Sequence, residues 1–491
     1  MLNITFIKKR IKIIVLVPIL ALGALLRLYG LEIQSFWNDE LFSWSYSNYD
    51  SLIEVIDKSA RPDVHPPGYH IFLYFVERYI GDSEAVLRFP SAIAGIFSIL
   101  AIFLIGQKLY SYREGLIAAS FMAILWCPIY YSQEARANSM LLLFTLLAAY
   151  FWIDIVINLN TGKKVSYYVI LAYITTAIIA SYLHYYGVYF IVLQGLLATL
   201  VLLRRRWALV YLFAIYALIL LAYVPWIPTM VSQLSTSVLA DWITAPKLTA
   251  FYSYIKFLFN RSNKLLLIVL PLYGFLFLIN FYRYRKTKVN QIAPLMASPT
   301  LLLTLWLIVP FAIAFFISIT YKPILLNRNL IISLPAAYLL LARAITQLPI
   351  SRTGQTLVTF SITGFFLYHL LFGLNYYSRP YKEQFREAVG FVVSEKLHYE
   401  DSVVIGYVMD PALLNYYFKK KGSEQRVAVI AGQKEDISIV SEYIQIENPN
   451  FIWYISGHIE PSPEFIEFLD QHFTRINHMP FKKANVWLFE N

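Results

Sequence analysis

Ser35-Phe36-Trp37-Asn38-Asp39-Glu40-Leu41-Phe42-Ser43-Trp44 follows an apolar run at 11–31 that is led by Lys8, Lys9, Arg10 and Lys12. The run is long enough to cross a bilayer, whose hydrocarbon core of roughly 30 Å takes about 20 apolar residues. No small-residue cleavage site stands behind it, so it reads as a retained anchor rather than a removable signal peptide. Asp39-Glu40 therefore sits beside a membrane, among Phe36, Trp37, Leu41, Phe42 and Trp44. Charge at the edge of a bilayer is costly, and such neighbours give a carboxylate little in return, so the pair asks for a chemical reason.

Outward from this stretch the chain keeps the same character. Of its 491 residues 58% are hydrophobic and 14% charged, which excludes an ordinary soluble globule. Its one cysteine, Cys127, lies in an apolar run, so neither a disulfide framework nor a thiolate metal cluster can form within the chain. The net charge of +11 comes from short clusters between apolar runs, not from a continuous basic face, and so points to membrane topology and not to nucleic acid.

Apolar runs at 11–31, 86–107, 115–131, 138–157, 167–183, 187–203, 207–227, 263–282, 300–320, 328–345 and 354–373 give about eleven expected spans. Alternate connections hold the basic residues: 8–12, Lys108 with Arg113, Lys163 with Lys164, 204–206, 283–288, and Arg343 with Arg352. By the positive-inside rule these are cytoplasmic. The connections at 32–85, 132–137, 184–186, 228–262 and 321–327 then face outward, as does the C-terminus. The run at 68–80 covers only about 20 Å as a helix and is assigned to the interface, as is a second helical pattern at 49–58.

Beyond about residue 375 the composition changes. Apolar runs at 401–406, 425–430 and 450–455 read as buried strands, and helical patterns occupy 383–397, 411–418 and 463–472. The chain is thus expected to be a polytopic α-helical membrane domain at 1–373, with interfacial helices in its first outer loop. An extracytoplasmic α/β domain is expected at 374–491, without a dinucleotide-binding glycine fingerprint.

Acids collect in the first two outer loops. Glu32, Asp50, Glu54 and Asp57 read as solvated loop residues, whereas Asp39, Glu40, Asp63 and Glu134 fall in distinctive motifs. Asp63-Val64-His65-Pro66-Pro67-Gly68 follows the acid pair; Leu87-Arg88-Phe89-Pro90-Ser91-Ala92, Tyr131-Ser132-Gln133-Glu134-Ala135-Arg136, His184-Tyr185-Tyr186-Gly187 and Asn327-Arg328-Asn329-Leu330 come after it in order. The series over about 10–345 resembles the protein O-mannosyltransferases and lipid A aminoarabinose transferases, family 39-like members of the GT-C class of membrane glycosyltransferases.

That resemblance implies a sugar donor joined to a polyprenyl phosphate, an extracytoplasmic acceptor (a lipid, a cell-surface glycan or a protein), and hexosyl or pentosyl transfer at the outer face of a cell membrane. The acceptor hydroxyl needs a general base, for which Asp39 is the candidate, with Glu40 as its support. The lipid-phosphate leaving group needs cations or donors, for which His65, Arg328 and Arg136 are candidates. Glu134, His184 and Tyr185 are candidate substrate-binding residues, and membrane lipids are the remaining expected partners.

One departure stands out. Well-studied relatives carry an Asp near the start of the fourth span, where this chain reads Asn138-Ser139-Met140 with Glu134 as the nearest acid. Relatives also differ over metal dependence. Acids from two loops are the type of ligand that holds a divalent cation, but no metal site and no other cofactor is predicted. The alternatives from other classes are a transporter or lipid flippase, and a non-catalytic subunit of a glycosylation complex. A transporter would carry charges near the bilayer midplane, where this chain has few.

Overall fold

The computed structural model describes residues 4–235, 243–286, 298–399, 401–410, 412–423, 428–429 and 437–491. Lys288, Pro411, residues 236–242 of the outer loop expected at 228–262, and all but Ala428–Val429 of the strand expected at 425–430 lie outside these described residues. The chain forms two compact units. The first comprises Met1–Tyr29, Ser51–Phe75 and Arg88–Leu374; the second comprises Gly30–Asp50, Val76–Leu87 and Asn375–Asn491.

The first unit is helical. Among the described residues eight helices are long and apolar enough to cross a membrane: Glu84–Leu109, Asn138–Thr161, Tyr185–Leu202, Arg206–Ser235, Asn263–Arg283, Pro299–Thr320, Asn327–Thr346 and Arg352–Gly373. Two shorter apolar helices, Val15–Leu28 and Tyr167–Leu183, fall on further expected spans. The run at 68–80 forms the 12-residue helix Gly68–Tyr79, about 18 Å long and too short to cross. At 49–58 the helical pattern appears as a turn, Leu52–Glu54, that widens into the π-helix Val55–Ala60.

The span expected at 115–131 is not straight. It consists of Tyr112–Ile124 and Trp126–Ser132, bent by 58° with Leu125 extended between them. Pro128 explains the position of the break, because its ring would collide with the carbonyl of Ile124 in a continuous helix. A break inside an apolar bundle frees backbone groups that water cannot satisfy. Arg27, fully buried, donates to the carbonyls of Met122 at 2.7 Å and Ala123 at 3.0 Å. The N–H of Trp126, opening the second helix, is accepted by Oδ1 of Asn260 at 2.7 Å. Both helix ends at the bend are thus capped by side chains from distant parts of the chain.

The second unit is built on a five-stranded sheet in the order β2-β1-β3-β5-β4. Its strands are β1 Ser402–Tyr407, β2 Ala428–Val429, β3 Phe451–Gly457, β4 Thr474–Phe481 and β5 Ala484–Glu490. β1 pairs in parallel with β2 and β3, while β5 is antiparallel to both β3 and β4. The continuous apolar runs of β1 and β3 suit central strands covered on both faces. Ile405, Ile452 and Tyr454 pack with Val440, Ile444, Phe465, Leu469, Trp487 and Phe489 in one core. Helices Phe385–Glu395, Ala412–Lys420 and Pro463–His472 occupy the expected positions, and Ile437–Glu447 is an additional helix. The sequence reading also lacked the β4–β5 hairpin. β4 is an exposed edge strand whose polar residues carry little strand signal, with a bulge between Arg475 and Asn477.

Segments Gly30–Asp50 and Val76–Leu87, assigned from sequence to the membrane domain at 1–373, group instead with the C-terminal segment. The reason is polar pairing. Gln34 Oε1 accepts the N–H groups of Tyr381 and Lys382 at 2.7 and 2.8 Å, and Arg386 donates to the carbonyls of Glu32 and Ile33 at 2.8 and 2.7 Å and also pairs with Glu84.

Candidate functional site

In the helical unit, four of the sequence-derived candidates surround one small cavity. His65, Arg136, His184 and Arg328 line it together with Tyr69, His70, Asn138 and Asn329. Its walls share a structural feature: they are the beginnings of helices. Tyr69 and His70 open Gly68–Tyr79, Asn138 opens Asn138–Thr161, His184 precedes Tyr185–Leu202, and Arg328 and Asn329 open Asn327–Thr346. A helix start carries the positive end of the helix dipole, so four of them around one space favour an anion.

The loop that brings His65 to the cavity is shaped by the Asp63-Val64-His65-Pro66-Pro67-Gly68 motif. Two imidazoles share one carboxylate oxygen, with His65 Nδ1 at 3.0 Å and His70 Nε2 at 3.1 Å from Oδ2 of Asp63. Burial pushes the Asp63 carboxyl upward, but the charge and hydrogen bond of His65, followed by those of His70, outweigh it and hold Asp63 well below the usual carboxylate range. Gly68 is required by a close approach. A Cβ there would lie 2.6 Å from the carbonyl oxygen of Tyr182, so the absence of a side chain lets the loop rest against the end of helix Tyr167–Leu183. That contact brings the His65 ring to 5.1 Å from the His184 ring, edge on.

His184 is neutral. Its Nδ1 accepts the N–H of Tyr186 at 3.1 Å, which leaves Nε2 to carry the proton. Burial, reinforced by the positive charges of His65, Arg136 and Arg328, pushes its pKa well down. The cavity thus combines two guanidinium groups, an imidazole N–H donor and the helix starts. Among the described residues no group of three or more His, Cys, Asp or Glu side chains is arranged to hold a metal ion.

The other candidates lie elsewhere. Glu134 is buried and does not line the cavity. The Tyr185 hydroxyl is engaged with Gln233 and accepts from Trp226 Nε1 at 3.2 Å. Asp39 and Glu40 belong to the second unit, in the first turn of helix Asn38–Ser47. There the two acids diverge: Asp39 is half-buried, whereas Glu40 is fully buried and pairs with Lys382 Nζ at 2.9 Å. Sequence reasoning missed His70, Tyr69, Asn138 and Asn329 as cavity residues. For the two asparagines a usable signal existed, since each stands in a motif at the start of an apolar run.

This arrangement defines a multi-pass membrane protein of the GT-C fold, similar to the family 39-like glycosyltransferases, with an α/β domain after its helices. Residues 64–228 match the family described as dolichyl-phosphate-mannose-protein mannosyltransferase. The chain shares its fold with ArnT from Cupriavidus metallidurans in the apo state, at a TM-score of 0.59 and 11% identity over 96% of this chain and 97% of that one. The same protein bound to undecaprenyl phosphate matches with a TM-score of 0.55 and 12% identity, at the same coverage. The archaeal oligosaccharyltransferase AglB from Archaeoglobus fulgidus, in complex with an inhibitory peptide and a dolichol-phosphate, matches at 0.55 and 12% over 91% of this chain and 69% of that chain. No curated protein sequence is significantly similar to this chain.

Proposed function

We propose that this protein is a glycosyltransferase that moves a sugar from a polyprenyl-phosphate-linked donor to an acceptor on the extracytoplasmic side of a cell membrane. The observation that carries this reading is the cavity where four helix starts converge with Arg136, Arg328 and His184. Similar folds bound to undecaprenyl phosphate and to a dolichol-phosphate support a lipid phosphate as its occupant. A purely apolar pocket lined by Trp152, Phe190, Leu193, Leu197, Leu303 and Trp306 within the same unit has the polarity that a prenyl chain requires.

The chemistry follows from charge. The acceptor hydroxyl attacks the anomeric carbon, its proton passes to the Asp39 carboxylate, and the bond from that carbon to the phosphate oxygen breaks. The phosphate goes from a singly charged diester to a monoester with greater negative charge. Fixed cations and N–H dipoles stabilise the second state more than the first, and this difference lowers the barrier. Arg328 and Arg136 are proposed to take the phosphate oxygens, and the Nε2–H of His184 donates a further hydrogen bond. His65, held by Asp63, completes the cradle. Glu40, paired with Lys382, supports the helix that carries Asp39.

The test is a transfer assay with purified protein and a labelled polyprenyl-phosphate sugar, together with donor binding. Asp39→Asn is expected to bind donor and lose turnover, while Arg328→Met loses donor affinity. Unchanged turnover in Asp39→Asn would remove the base assignment. Unchanged donor binding in Arg328→Met would remove the phosphate assignment.

A further inference from the structure

We infer that Lys382 and Glu383 are positioning residues, through which the C-terminal segment sets the orientation and charge of the Asp39 carboxylate; the inference rests on the reading of Asp39 as the base. Asp39 lies between two residues that this dipeptide holds. On one side the N–H of Asn38, the first residue of helix Asn38–Ser47, is accepted by Oε2 of Glu383 at 2.8 Å. On the other, Glu40 Oε2 pairs with Lys382 Nζ at 2.9 Å, with the two side chains 0% and 4% exposed.

The clamp is reciprocal. Ser35 donates its hydroxyl hydrogen to the carbonyl of Glu383, and Gln34 accepts the N–H of Lys382. Glu40 Oε2 also reaches back to the N–H of Trp37 at 3.4 Å, closing the first turn on itself. The backbone before Asp39 and the Glu40 side chain after it are thus both held by residues more than 340 positions away in sequence, which fixes the turn that carries Asp39.

The same contacts set the electrostatics. Three carboxylates, Asp39, Glu40 and Glu383, lie at or beside one helix start. Glu40 is paired with the ammonium of Lys382, and Glu383 meets the His458 Nδ1 imidazole nitrogen at 2.7 Å and Lys483 at 3.7 Å. With Lys382 in place, Glu40 adds no net charge next to Asp39. Without it, an ionised Glu40 disfavours ionisation of Asp39; without Glu40, the remaining cation favours it.

The experiment is the pH dependence of kcat/KM in the full-length protein. Lys382→Met is expected to move the acid limb up by about half to one pH unit, Glu40→Gln to move it down, and the double variant to return it near the wild-type position. Lys382→Arg, which keeps the charge, should keep the wild-type limb. Loss of packing alone would lower activity without moving the limb in opposite directions. Glu383→Ala should lower kcat about tenfold or more with donor KM unchanged, and Glu383→Gln, whose amide oxygen still accepts from Asn38, should recover most of it. Acid limbs that stay fixed, or that shift in the same direction in both single variants, would overturn the inference.

Hydrogen exchange of a peptide covering residues 36–47 supplies a readout independent of catalysis. Exchange should be faster in Glu383→Ala than in the wild type, and unchanged exchange would overturn the clamp. Asp39→Asn is assayed alongside. If it keeps full turnover, the base reading fails, whereas the exchange result still decides whether residues 382–383 hold this helix.

Discussion

Nδ1 of His65 lies 3.0 Å from Oδ2 of Asp63, in a chain whose relatives in fold bind lipid phosphates. The carboxylate orients the ring and is itself kept ionised by it, so the pair behaves as one unit. Asp63→Asn should raise donor KM by about tenfold as His65 loses its orientation. It should also cost roughly 1–3 kcal/mol of stability at neutral pH. The sign follows from the depressed pKa of Asp63. Its contribution is fully present above about pH 4, the carboxyl's unfolded value, and is lost as pH falls through the lower folded value. The melting-temperature gap between wild type and Asp63→Asn should therefore be open at about pH 5 and shrink under stronger acid; a gap that stays constant or widens below about pH 4 would contradict the assignment.

Arg328 is predicted to act through its fork as well as its charge. Arg328→Lys should weaken donor binding by about tenfold, and Arg328→Met should lower kcat/KM by about 10²–10³-fold. Binding isotherms with a polyprenyl phosphate alone check this without requiring turnover. Wild-type binding in Arg328→Lys would show that charge alone matters, and equal losses in the two variants would show that the fork alone does.

Gly68 sets the position of the loop. Gly68→Ala places a methyl group 2.6 Å from the Tyr182 carbonyl oxygen, so either the loop or helix Tyr167–Leu183 must shift. Such overpacking costs about 1–3 kcal/mol. Because the shift separates His65 from His184, activity should fall by about tenfold even where the protein remains folded. A variant with wild-type kinetics would show that the loop position is not critical.

Arg27 holds the break in the helix pair Tyr112–Ile124 and Trp126–Ser132. Arg27→Met leaves the carbonyls of Met122 and Ala123 without their donor in an apolar environment, at a cost of about 2–4 kcal/mol. Thermal unfolding in detergent should shift down accordingly. Combining it with Asn260→Leu, which removes the cap at the other side of the bend, should give a loss different from the sum of the two.

Glu77 carries a pH signature of opposite sign to that of Asp63. Burial raises its carboxyl to about 8, despite the hydrogen bond from the Ser47 hydroxyl at 2.7 Å. The folded state thus holds a proton that the unfolded chain releases near pH 4.3, so stability declines as pH rises from there to about 8. Glu77→Gln should match the wild type near pH 4 and melt at a higher temperature at pH 8. A constant offset between the two across that range would exclude a buried neutral Glu77.

Much of the architecture was legible locally. Apolar runs of membrane-crossing length, the basic clusters between them and the change of composition after about residue 375 are properties of short windows, and all are visible without tertiary information. The order of motifs pointed to the GT-C fold for the same reason, and His65, Arg136, His184 and Arg328 were identifiable as helix-end polar residues in apolar surroundings. Less legible were β4 and β5. An edge hairpin with one exposed strand has neither a continuous apolar run nor a clean alternation to mark it.

The sequence by itself determined a membrane-embedded helical chain with an α/β domain, and placed acids and cations at the ends of its apolar runs. Bilayer thickness and side-chain polarity act residue by residue, so local reading sufficed. Tertiary structure decided which of those ends meet: helix starts near residues 68, 138, 184 and 327 around one cavity, Arg27 on a break nearly a hundred residues away, and Lys382 with Glu383 on either side of Asp39. A buried polar group must find a partner, and the sequence around it does not record where in the chain that partner will be.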